Sequence, residues 1–226
     1  MNRKFINDFM HRAFCPLEES RILSQMINIT GNGIQYIYYK KLFDTLADKV
    51  LVENHDWFML TVNGYYDLAV YNWSMLFGSH SEPTHYKKLI EYKNISEYLS
   101  KILSCSEVNK KNLQDYILNC MGLTEKEYKK IHRKIKDYRD RYLAHREHHP
   151  SKINNDDLVF PETNVIKKAL ESLYLLLIKI IKYFPNTPDK NNNRYVSYLL
   201  LNSYEDIEEF AKLTFPKLDA LLRNIA

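Results

Sequence analysis

Apolar residues in this chain recur at intervals of three and four far more often than at intervals of two, which is the spacing of helices rather than strands. The pattern is densest over residues 34–77, where Tyr36, Tyr39, Leu42, Phe43, Leu46 and Val50 are followed by Trp57, Leu60, Tyr65, Leu68, Tyr71 and Met75. It predicts one very long helix, or two with a break near Asn54, and places this aromatic stripe in the core instead of on a base-stacking surface. Gly64 interrupts the run at a cost of ~1 kcal/mol relative to Ala, which predicts a place where another helix approaches closely.

The same reading divides the rest of the chain. Residues 2–29 form one or two amphipathic helices, with Pro16 in a first turn, and Gly31-Asn32-Gly33 marks a turn. After a polar loop at 78–83, Thr84 caps a short helix running to about Tyr92, and His80 and His85 are surface histidines. A loop at Lys93-Asn94 leads to helices at about 96–104 and 107–121, the second stopped by Gly122. A polar loop at 148–162 precedes an apolar helix, capped by Thr163 or Asn164, that continues to about Phe184. A Pro- and Asn-rich linker then leads to a last helical segment, 195–225. No strand is predicted. The expectation is an all-α chain, a single domain over 1–226, with residues 185–226 as an accessory C-terminal hairpin.

The firmest borders are those of residues 124–149, TEKEYKKIHRKIKDYRDRYLAHREHH. Thr124 stands three residues before Glu127, a capping box, and Pro150 ends the run, so one helix of about seven turns is predicted. With Tyr142 at zero and ~100° per residue, Tyr128, Ile131, Ile135, Tyr138 and Tyr142 fall on one buried stripe. His145 continues that line, Arg139 and Arg146 border it, and Asp140 points nearly opposite. The helix carries an excess of four positive charges, and so does the whole chain, with 32 Lys and Arg against 28 Asp and Glu. All net basicity therefore sits here, which makes Arg133 and Lys136, with Arg141 and Arg146, candidate contacts to a nucleic-acid backbone.

Arg139-Asp140-Arg141-Tyr142-Leu143-Ala144-His145 resembles the signature of HEPN domains: an arginine followed by Asn or Asp, then a histidine after four to six residues, near the end of a core helix. The wording RDRYLAHRE resembles the HEPN families of abortive infection and toxin systems. That resemblance implies an up-and-down helical bundle with additional N- and C-terminal helices. The activity it implies is that of a metal-independent endoribonuclease, without cofactor, that leaves a 2′,3′-cyclic phosphate. The catalytic set would be Arg139, His145 and Asp140, with Arg133, Lys136, Arg141, Tyr142 and Arg146 on the RNA. His145 can exchange protons near neutral pH, and Arg139 offers a permanently charged fork to a phosphate. In a straight helix the two are separated by ~9 Å of rise and ~120° of rotation. Many HEPN proteins resolve this by pairing the motif helices of two subunits, so the resemblance implies a homodimer that pools both copies in one cleft. Asp140 replaces the commoner Asn, and Arg141 is an alternative phosphate ligand. A different class of reading is an inactive HEPN module that binds RNA, a nucleotide or a protein partner such as an antitoxin or defence component.

Composition excludes several alternatives. Cys15, Cys105 and Cys120 are scattered and form no metal or disulfide framework, which predicts reduced thiols and a cytoplasmic protein. The N-terminus lacks the continuous apolar stretch of a signal peptide. The most apolar run, 169–184, is broken by Glu171, Lys179 and Lys182 and is too short for a bilayer, so no membrane role is expected. His145, His148 and His149 have no carboxylate or thiolate partner set for a metal.

Overall fold

Thirty consecutive residues, Leu17–Leu46, form the first helix, α1, in the computed structural model, which describes residues 17–46, 55–144 and 161–183. The helix runs through Gly31-Asn32-Gly33 without a turn, contrary to the glycine signal. The reason is packing: a Cβ at Gly33 would sit 2.8 Å from Leu170 Cδ1 and 3.2 Å from the Asn72 Cβ. The bare backbone lets two other helices close on α1, and the burial they gain outweighs the helix propensity lost at glycine.

The second helix, α2, is His55–Phe77, so the apolar run of 34–77 is two helices; the break near Asn54 lies outside the described residues. α2 returns antiparallel to α1, with Phe43 against Phe58 at 5.5 Å and Tyr36 stacked on Tyr65 at 6.2 Å between ring centres. A 3-10 helix, Tyr86–Glu91, follows, then α3 (Lys93–Ile102) and α4 (Lys110–Met121). Gly122 ends α4 in the left-handed conformation, φ 69°, as its sequence position predicts. Then come α5 (Glu125–Tyr138), a π-helical continuation at Arg139–Ala144, and α6 (Thr163–Tyr183).

Cross-contacts set the directions of the long helices. Lys41 Nζ donates to Asn164 Oδ1 at 3.1 Å while Gly33 faces Leu170, so α6 runs antiparallel to α1. His132 meets the carbonyl of Phe77 and Tyr138 meets Asp67, so α5 runs antiparallel to α2. Helices α1, α2, α5 and α6 thus alternate up and down around one cluster that includes Met26, Ile37, Trp73, Ile135, Leu173 and Leu177. The described residues are all-helical and contain no strand.

Several local signals resolved differently from their sequence reading. Thr84 does not cap the short helix; its hydroxyl donates to Met75 O at 3.2 Å, and His85 Nδ1 accepts from Lys87 N instead. His85 is buried, 4% exposed, stacked between His80 and Tyr86 at 4.5 and 4.9 Å, so only His80 is a surface histidine. Burial depresses the His85 imidazole to about 3, with His80, Lys87, His132 and Lys88 adding in the same direction. Lys93 and Asn94 belong to α3 and not to a loop. Buried Glu19 of α1 accepts from Asn94 N at 3.3 Å and Asn94 Nδ2 at 3.1 Å, which anchors that first turn.

The apolar stripe read for α2 is also reassigned. Trp57, Leu60, Leu68 and Tyr71 are solvent-exposed, and the core contacts come from Phe58, Val62, Tyr66, Ala69, Val70, Trp73 and Phe77. Gly64 meets no close neighbour.

Candidate functional site

The start of α5 forms as its sequence dictates. The Thr124 hydroxyl accepts from Glu127 N at 3.3 Å, and the Glu127 carboxylate accepts from Thr124 N at 2.8 Å, which satisfies two otherwise orphaned donors. The hydrogen bonds to Thr124 hold the exposed Glu127 carboxyl below its usual range. From there Tyr128, Ile135 and Tyr138 are buried, with Ile131 and Tyr142 half-buried against the same cluster, which is the predicted stripe.

The end differs. Regular α geometry stops at Tyr138, and Arg139–Ala144, the first six residues of the arginine–histidine signature, form a π-helix. Its hydrogen bonds reach five residues instead of four, so each residue turns the chain less than in an α-helix. The azimuths calculated for a straight α-helix therefore do not hold beyond Tyr138. Single π turns inside helices are uncommon and concentrate at functional sites. His145 and Arg146 lie outside the described residues, as does the 145–160 segment containing His148 and His149.

Arg139 is half-buried. Its Nε donates to Asp140 Oδ1 at 2.7 Å, and its Nη2 meets the same oxygen. Asp140 therefore does not stand apart from the arginine, as a regular helix would have it, but engages one edge of its fork. The other terminal nitrogen, Nη1, lies 3.2 Å from where a Cβ of Gly78 would be, so the guanidinium packs on bare backbone just past the end of α2. That is the negative end of a helix, where a cation is stabilised.

Beneath this lies a group not anticipated from the sequence. The Tyr138 hydroxyl donates to Asp67 Oδ1 at 2.7 Å, its ring packs edge-on to Tyr66 at 5.3 Å, and the Tyr66 hydroxyl donates to Pro161 O at 2.7 Å. The Tyr142 ring lies 5.3 Å from that of Tyr138. Burial raises the Asp67 carboxyl, a rise offset in part by the Tyr138 hydrogen bond, and burial followed by that acceptor raises the Tyr138 hydroxyl. These bonds tie α5, α2 and the entry to α6 together at the residue immediately before Arg139. A signal for Asp67 was available: it is the one charged residue between Trp57 and Phe77.

His132 also escaped notice. It lies two turns before Arg139, and its Nε2 is 2.8 Å from Phe77 O, with Trp73 and Tyr128 rings at 5.2 and 5.6 Å. Arg139 and His132 therefore meet adjacent residues, Gly78 and Phe77. Arg133, Lys136 and Arg141 are exposed on the solvent side of the same helix. Among the described residues no group of three or more His, Cys, Asp or Glu could hold a metal ion, and no helix is long and apolar enough to cross a membrane.

No family model matches the chain, and no curated protein or solved structure matches it.

Proposed function

We propose that the chain is a metal-independent endoribonuclease of the HEPN type, acting as a homodimer in the cytoplasm in phage defence or as a toxin. The observation that carries this reading is the placement of Arg139. Its guanidinium rests on the end of α2 at the head of a π-helical segment, on the helix that holds the chain's excess positive charge, six residues before His145.

In the reaction, the 2′-hydroxyl oxygen of the RNA attacks the adjacent phosphorus and the bond to the 5′-oxygen breaks. A 2′,3′-cyclic phosphate and a 5′-hydroxyl result. One proton leaves the attacking oxygen and one reaches the departing oxygen, and His145 is the group on this chain that exchanges protons near neutral pH. Arg139 opposes the charge that builds on the phosphate oxygens. Asp140 holds the guanidinium in place through Nε and Nη2, and Arg133, Lys136, Arg141 and Arg146, with Tyr142, line the approach of the RNA backbone.

A second reading draws on the same contact. Because Asp140 already engages Arg139, the fork is partly satisfied without a substrate, which favours a silent module that binds RNA, a nucleotide or a protein partner. One experiment separates the two. The protein and its Arg139→Ala and His145→Ala variants are incubated with transfer RNA in chelator, and products and binding are followed together. Cleavage that falls by ~100-fold or more in each variant is the expected result. Undiminished cleavage in both variants overturns the assignment, and binding without cleavage by the native chain supports the module.

A further inference from the structure

Helix α2 is apolar on two faces, and the described fold buries only one. On the other, Trp57 is 66% exposed, Leu60 73%, Leu68 43% and Tyr71 54%. A helix apolar all round belongs inside a larger body, and a contiguous exposed patch of several hundred Å² marks an interaction surface.

The stripe has an internal symmetry. Gly64 lies at its centre, with Leu60 and Leu68 four residues to either side and Trp57 and Tyr71 seven. At ~100° per residue the leucines lie ~40° to opposite sides of Gly64 and the aromatics ~20°, so all five share one face. A Cβ at Gly64 would meet nothing within 4 Å, so the glycine serves no close approach inside this chain.

We infer that this face pairs with its own copy: two α2 helices cross antiparallel, with Gly64 on the two-fold axis. A two-fold interface requires that whatever residue i meets on the partner, that residue's counterpart meets i in return. Here Leu60 comes level with Leu68 of the partner subunit, and Trp57 with Tyr71 of the partner subunit. Their opposite angular offsets let each pair interdigitate side by side instead of colliding. At the centre, glycine faces glycine and the two backbones approach closely. Among antiparallel pairings, a centre at Gly64 sets leucine against leucine and tryptophan against tyrosine. α2 itself has no Lys or Arg, so the stripe carries no positive charge of its own to set against a copy of itself.

This pairing does not rest on the nuclease reading. Arg139 packs beside Gly78, fourteen residues from the axis, so the two guanidinium groups stand ~40 Å apart at opposite ends of the helix pair. A cleft shared by two motif helices uses a different surface, and a chain that forms both contacts assembles beyond a dimer.

Sedimentation of the full chain at micromolar concentration tests the pairing. Leu68→Glu places a carboxylate in each half of the interface and is expected to halve the sedimenting mass, weakening the contact by ~100-fold with the helical circular dichroism unchanged. With Cys15, Cys105 and Cys120 replaced by Ser, mild oxidation is expected to link Gly64→Cys to itself across the axis. Tyr71→Cys alone stays unlinked, and Trp57→Cys combined with Tyr71→Cys becomes linked. A native monomer, a mass unchanged by Leu68→Glu, or Tyr71→Cys linking to itself as readily as Gly64→Cys overturns the inference.

Discussion

The two faces of α2 are built from the same kinds of residue and meet opposite surroundings. The inner face packs Phe58, Tyr66, Trp73 and Phe77 against α1, α5 and α6, while the outer face holds Trp57, Leu60, Leu68 and Tyr71 in solvent. Hydrophobic spacing reports that a helix has apolar stripes, but it does not report which stripe the chain's own core will cover. Two tryptophans sixteen residues apart in one helix therefore contribute differently.

The largest expected difference is between those tryptophans. Trp73→Ala should cost ~3–5 kcal/mol in chemical denaturation, because it empties a fully enclosed site among Phe77 and His132. Trp57→Ala, measured in dilute protein, should stay within ~0.5 kcal/mol. Comparable losses would erase the distinction between the faces.

The next largest lies in the glycines. Gly33→Val drives two methyl groups toward Leu170 and Asn72 and should destabilise by ~1–3 kcal/mol. Gly64→Ala, in dilute protein, should stabilise by ~1 kcal/mol, since nothing stands in the way and helix propensity improves. Opposite signs in the two unfolding midpoints are the result to look for.

The smallest concerns Asp67, on the border between the faces. Burial raises its carboxyl, so the fold favours the protonated form. The stability it contributes is full below the unfolded value of about 3.9 and is lost as pH rises through the folded one. Asp67→Asn keeps an acceptor for Tyr138 and removes that loss. The variant should match the native chain in acid and surpass it at neutral pH, as read from denaturation at both; an advantage that persists unchanged in acid would contradict this account.

Much of the architecture was legible in the sequence, for identifiable reasons. The Thr124–Glu127 box, the Gly122 stop and the Tyr128–Ile135–Tyr138 stripe are local signals, complete within a turn or two, and each formed as written. The glycine turn at 31–33 failed because its outcome was decided by Leu170, far away in the chain. Thr84 failed as a cap because its hydroxyl found the end of α2, leaving the role to His85. In the candidate site, Arg139 and Asp140 could be named from their order alone. The half-buried Tyr138–Asp67 bond beneath them joins residues 71 positions apart and could not be found from spacing. The π geometry had no residue signature that propensity reasoning recognises.

That wider coil makes the signature tolerant of a lesion that would ruin an ordinary helix. Excising one residue between Arg139 and Ala144 would let the segment tighten to α pitch, and since five residues at α pitch sweep about the same angle as six at π pitch, the rod would keep both its continuity and its bearing. The arginine would stay in its seat on α2, with the segment that follows one residue shorter.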